Sequence, residues 1–208
     1  MRNRKLMGTV PFILLFATFG AAQRQPGDRG AAPLRPAVMG PHGGVSTGHP
    51  LTTAAAFEIL LKGGNAFDAG VTSLLVGGVL EQDLYSLGGE ALVLVYPVKE
   101  GKVTSIVGQG WAPKAVDVDW SVSRGKTLDG AGLDPAVVPG ALHAALTVLE
   151  KYGTWSFADV AARAISYAEH GFPLRNSTAQ GIERQLDFFK QWPDNQKYSL
   201  KEIGRAHV

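Results

Sequence analysis

No cysteine occurs among the 208 residues, which excludes disulfides and thiolate chemistry and is compatible with an oxidising compartment. Charge is sparse and nearly balanced, with 20 basic against 18 acidic side chains. Arg2, Arg4 and Lys5 sit together at the start, and without them 17 basic side chains face 18 acidic ones. No basic surface for nucleic acid is therefore expected. Neither glycine-rich segment is followed by Gly-Lys-Ser/Thr, so a phosphate loop is absent. His42, His49, His143 and His170 show no metal-ligand spacing. Ser46, Thr47, Thr52 and Thr53 lack the histidine and acid of a serine-type triad. Glu81 and Asp83, two residues apart before a loop, are read as capping or solvated acids, and the four tryptophans as packing.

A long hydrophobic run is also missing. Leu6 to Phe19 is mostly apolar, but Gly8 and Pro11 interrupt it and it is short for a membrane span. With the basic cluster before it and Gly20-Ala21-Ala22 after it, the segment 1–22 reads as a secretory signal. Export to the periplasm or the medium is the expectation, with membrane contact only through an uncleaved signal. Residues 23–36, rich in Arg, Gly, Pro and Ala, read as a linker. At the other end, Glu202 to Val208 (EIGRAHV) back-translates to the start of a common sequencing adapter. Residues 202–208 are therefore expected to be foreign, with the natural frame continuing past Lys201.

Between these ends, 45% hydrophobic residues and 26 glycines suit a globular, small-residue-rich α/β chain. Short strands are predicted around Ala37 to Met39 and near Val45. From Pro50 a helix is predicted, with Ala54, Phe57, Leu60 and Leu61 on one face, stopped by Gly63-Gly64. Asn65 caps a second helix, with Asp68 three residues on and Val71, Leu74, Leu75 and Val79 forming its stripe. Ala91 to Tyr96 reads as a buried strand, and Val103 to Val107 as its return after a turn at 99–102. Asp117 to Asp134 reads as loop. A helix from Pro139 to Tyr152 follows. The next is capped by Ser156 and Asp159 and carries Val160, Ala164, Ile165 and Ala168 until Gly171. A last helix is predicted over Ser177 to Lys190.

Four segments, in order, carry a family likeness: GGNAFDAGVTSLLVGGVLE from Gly63, LYSLGGEALVLVY from Leu84, GQGWAPKA from Gly108, and VVPGALHAALTVLEKYGTWSFADVAARAISYAEHGFPL from Val137. Together they resemble the front part of the gamma-glutamyltransferase family. The likeness implies an N-terminal nucleophile hydrolase, α/β (α+β), of which residues 37–201 would form part of a four-layer αββα sandwich. It further implies a precursor that cuts itself into large and small subunits and exposes a threonine that attacks a γ-glutamyl amide such as glutathione. The freed α-amine of that threonine would act as base, and no metal or organic cofactor would be needed. The implied partners are a small γ-glutamyl or related amide substrate and the C-terminal small subunit. The threonine is expected beyond Lys201, so no catalytic residue is assigned within this chain.

Two departures matter. The family's R-E-x-A-P arginine, which pairs with the donor's α-carboxylate, is matched by Gln109 in Gln109-Gly110-Trp111-Ala112-Pro113. A guanidinium grips both carboxylate oxygens at once, whereas glutamine brings no charge. Gln109 is thus a candidate substrate contact for a different amide, or merely a strand end, with Trp111 covering the core. In the glycine-rich turn, Glu90 follows Gly88-Gly89 where the family has further glycine; a tight entry into the strand is the favoured role of the pair. Three functions follow: a γ-glutamyltransferase-like enzyme, a related acylase, or a non-catalytic scaffold.

Overall fold

The computed structural model of the protein describes residues 40–125 and 136–198. The chain divides into two units, Met1–Met39 and Gly40–Val208, and every described residue lies in the second. The expected signal, linker, first strand and 202–208 tail fall outside the described residues. No described helix is long and apolar enough to cross a membrane.

Helix α1 (Pro50–Leu61) begins where the imino nitrogen of Pro50 costs no hydrogen bond, with His49 Nδ1 accepting from Leu51 N at 3.1 Å. Gly63, at φ +91°, ends it. Of the predicted face only Leu60 packs inward, against Ala56, Ile59 and Ala69. Ala54, Phe57 and Leu61 point outward, and Thr52, Ala55, Ala56 and Ile59 are buried. Apolar residues surround this helix, so spacing alone does not select a side. The small alanines allow close approach to the next helix, and that contact decides.

Helix α2 (Ala66–Leu80) opens with the predicted Asn65–Asp68 capping box. Asn65 Oδ1 accepts from Phe67 N and Asp68 N, and Asp68 Oδ2 accepts from Asn65 N at 2.8 Å. α2 is the centre of the core. Its Val71, Leu75, Val76 and Leu80 meet Ala55 of α1, Ala145 and Val148 of α4 (Ala141–Tyr152), and Val160 and Ala161 of α5 (Phe157–His170). Val45 forms no strand; it packs instead on a small cluster of Ala56, Ile59 and Ala69.

Strands β1 (Ala91–Val95) and β2 (Thr104–Gly108) pair antiparallel, with Ala91 opposite Gly108 and Val95 opposite Thr104. The turn between them has Gly101 at φ +63°, accepting a conformation few other residues tolerate. β1 is not buried on both sides as expected. Val93, Val95 and Ile106 face the helices. Leu92 and Leu94, each 73% exposed, lie on the opposite face with Val107. Helices thus cover one side of this two-stranded sheet.

The segment from Asp117 is not all loop: α3 (Val118–Ser123) forms there, because Asp117 Oδ1 accepts from Trp120 N at 2.7 Å and supplies its cap. Residues 126–135 lie outside the described set. α4 starts at Ala141 rather than Pro139, with Gly140 at its N-cap. In α5, capped as predicted by Ser156, Val160, Ala161 and Ala164 are buried while Ile165 and Ala168 are exposed. The last predicted helix breaks at Gln185 into α6 (Asn176–Arg184) and α7 (Leu186–Phe189), followed by α8 (Pro193–Tyr198). Gln185, at φ −113° and ψ 25°, leaves the helical region.

Two polar contacts tie the helices. Arg163 of α5 grips Glu58 of α1 through Nε and Nη2 at 2.7 and 2.9 Å, and Lys62 adds a third contact at 2.6 Å. Those hydrogen bonds hold the Glu58 carboxyl down at about 2. Asp68, fully buried, does more. Besides capping α2 it accepts from Thr154 N at 2.9 Å, Thr154 Oγ1 at 2.7 Å and Trp155 N at 3.2 Å. Burial pushes its carboxyl up, yet the donors from Thr154, Asn65 and Trp155 outweigh that and keep it below its ordinary value.

Candidate functional site

β2 continues its alternation beyond its last paired residue. Gly108 and Gly110 turn inward and Gln109 and Trp111 outward, extending the exposed face of Val103, Ser105 and Val107. The glycines are required by contact. A Cβ on Gly108 would lie 2.5 Å from Ala144 Cβ and 2.8 Å from Gly140 O. A Cβ on Gly110 would overlap the Val138 carbonyl, and one on Gly140 would overlap that of Gly108. The backbone of 138–140 therefore lies directly on the end of β2. Val138 N donates to Trp111 O at 2.9 Å and fixes the segment further.

The consequence is a rigid mount for two outward side chains. Gln109 is exposed, as a substrate contact would need to be. Trp111 does not cover the core; it is 87% exposed. The other tryptophans differ: Trp155 packs against the core, Trp120 lies under the Arg124 guanidinium, and Trp192 stacks edge-on with Phe188.

Gly88-Gly89 serves the turn, in keeping with the structural reading. Gly89 O accepts from both Gly140 N and Ala141 N, at 3.0 and 3.1 Å, and so caps α4, which has no side-chain cap. The entry to β1 and the start of α4 are thus bolted together beside Gln109.

Glu81 is the C-cap residue of α2 and Asp83 is exposed, but both also belong to an ion-pair cluster. Glu81 is buried, and the Arg175 guanidinium reaches it and Asp83 at 3.5 Å each. Thr178 Oγ1 adds a hydrogen bond to Asp83 at 3.2 Å. This cluster was missed because its cation lies some ninety residues downstream, and no local pattern announces it. Tyr85 beside it donates to Leu74 O at 3.1 Å; burial, then the Glu81 charge, pushes its hydroxyl up to about 12.

The remaining candidates scatter. His49 caps α1, His143 is exposed, and His170 lies 3.0 Å from Ser166 O. Thr47 and Thr53 share a hydrogen bond of 2.7 Å with no acid or imidazole side chain attached. Among the described residues no group of histidine, aspartate and glutamate side chains is arranged to hold a metal. An apolar cavity of about 300 Å³ lies between α2, β1 and α4, lined by Phe67, Val71, Leu74 and Val148 among others.

The glutathione hydrolase-like YwrD proenzyme of Bacillus subtilis (strain 168) is 33% identical over 162 residues, covering 77% of this chain and 30% of that protein. The acylase ACY 1 proenzyme of Pseudomonas sp. (strain V22) is 36% identical over 145 residues, covering 65% of this chain and 26% of that one. The chain therefore spans less than a third of the length of these relatives. The crystal structure of Helicobacter pylori gamma-glutamyltranspeptidase superposes with a TM-score of 0.72 at 23% identity, over 78% of this chain and 48% of that one. It supports the expected fold, of which the helices and two-stranded sheet described here form a part. The sequence profile described as Gamma-glutamyltranspeptidase matches residues 52–207, and with the relatives above it establishes that this chain belongs to the gamma-glutamyltranspeptidase family.

Proposed function

We propose that this chain is the front part of an exported, self-cleaving amide hydrolase or transferase whose donor is bound at the Gln109 end of β2. The threonine nucleophile lies in the part of the protein that follows. Its hydroxyl attacks the donor's amide carbonyl, passing its proton through its own α-amine to the departing amine. Water, an amino acid or a peptide then takes the acyl group from the threonine ester. Backbone N–H groups stabilise the oxyanion in both steps. This chain contributes substrate contacts and the scaffold that aims them, and alone it is inactive.

The observation that carries this reading is the mounting of Gln109: an exposed side chain at the family's carboxylate-binding position, fixed by three glycine contacts and the Gly89 bolt. Its neutrality favours a second form of the reading, in which the donor is a related amide without the charged γ-glutamyl end. The acylase among the relatives is in keeping with that form.

The test begins with the intact gene, read across the Lys201 codon. The full-length product should cut itself into two subunits, and replacing the threonine at the new N-terminus by alanine should stop amide hydrolysis. A full-length protein that stays uncut and inert would leave only the scaffold reading. With γ-glutamyl-p-nitroanilide as donor, Gln109→Arg should raise kcat/KM by about ten-fold, as expected for a charge-assisted contact of about 1.5 kcal/mol.

A further inference from the structure

The outward pair at the end of β2 says more than the loss of a charge. Gln109 and Trp111 are both exposed, while Gly108 between Val107 and Gln109, and Gly110 between the pair, press against the 138–140 backbone, so the two side chains stand on the uncovered side together. Trp111 is 87% exposed, and none of the aromatic pairs or cation–π contacts among the described residues involves it. The backbone that carries the ring is fixed: Gly110 lies under Val138 O, and Trp111 O accepts from Val138 N. Among the described residues a large apolar ring is thus left uncovered on a fixed backbone, two residues from the donor-binding position. Beside it runs the apolar outer face of Val103, Val107 and Leu92.

We propose that Trp111 is a specificity-determining residue that stacks on an apolar, planar acyl group, so that the preferred donors are amides of neutral aryl- or alkyl-carboxylic acids. The proposal rests on the reading of Gln109 as a donor contact and deepens it by naming the substrate class. Indole offers a broad flat surface, and stacked rings gain beyond their burial alone. Gln109 supplies hydrogen bonds to a neutral acyl end where a guanidinium would demand a carboxylate. A zwitterionic γ-glutamyl end would have to leave water beside the indole without an opposite charge from Gln109.

The experiment uses the full-length, processed enzyme and two donors, 4-phenylbutyryl-p-nitroanilide and γ-glutamyl-p-nitroanilide. The natural enzyme should favour the phenylbutyryl donor. Trp111→Ala should raise its KM about ten-fold, leaving kcat within about two-fold and the γ-glutamyl KM unmoved, the pattern of a lost binding contact. Trp111→Phe should restore most of the affinity, which a merely structural role would not require. Failure to turn over the phenylbutyryl donor overturns the proposal. So does a Trp111→Ala enzyme whose KM is unchanged or rises equally for both donors. Gln109→Ala separates the two ideas: if it shifts KM while Trp111→Ala does not, the donor-site reading stands and this inference falls. If neither substitution shifts KM, both fall.

Discussion

A single carboxylate, Asp68, receives hydrogen bonds from two separate corners of the chain, at Asn65 and at Thr154–Trp155. Asp68→Ala would leave three backbone N–H groups without their acceptor in a buried place. We expect a loss of about 3 kcal/mol or more, checked by urea unfolding of the full-length protein. Asp68→Asn keeps the size but offers one acceptor oxygen in place of two, and should fall between. The glycines are as exacting. Gly110→Ala drives a methyl into the Val138 carbonyl, so both stability and donor KM should suffer, whereas Gly70→Ala, with open space around it, should leave KM alone. Asp68 was legible from sequence as a cap three residues after Asn65, but its partners at 154 and 155 were not, since they come from tertiary packing. The position of Trp111 was within reach: Val103, Ser105, Val107, Gln109 and Trp111 share one parity, and following it past the strand end puts the indole outside.

At the scale of elements, Arg163 joins α5 to α1 through Glu58, and the link titrates. The folded Glu58 value of about 2 lies below the ordinary 4.5, so the contribution is complete above about pH 4.5 and disappears as pH falls towards 2. Glu58→Gln should therefore cost stability at pH 7 and little at pH 2, seen as converging thermal midpoints. The helix α6 is tied to the loop after α2 by Arg175 and Thr178. Arg175→Ala leaves buried Glu81 without its cation, and limited proteolysis should then cut earlier between Gly171 and Asn176. Element starts and stops were mostly legible, because caps and glycines act locally: Pro50, Asn65, Ser156 and Gly171 all mark real ends. Faces were less so. In α1 apolar residues lie all round and only the neighbouring helix selects Ala55 and Ala56, while in α5 the exposed Ile165 shows that apolarity alone does not mean burial. The cap at Asp117 was there to be read and was overlooked among the surrounding glycines.

Across the whole molecule, helices guard one side of the sheet and the other side lies open, with Leu92, Leu94, Val103 and Val107 each more than 60% exposed. In the 208-residue chain on its own that face should bind a hydrophobic dye and drive association. Leu92→Lys with Leu94→Lys should reduce light scattering while leaving helix content unchanged, since neither leucine is buried in the core. Unchanged scattering would place the sticky surface elsewhere. The Asp68 arrangement has a further meaning at this scale. The corner between α1 and α2 and the corner between α4 and α5 are written about ninety residues apart, yet the second finds the acceptor for its Thr154 and Trp155 amides only in Asp68 of the first, and the first spends its Asn65 side-chain amide on Tyr152 O of the second. Their amides at Asn65, Thr154 and Trp155 should therefore exchange with deuterium as one group, at one opening free energy. The helical layer would then have no half-built form in which the α4–α5 corner is protected and the α1–α2 corner is not.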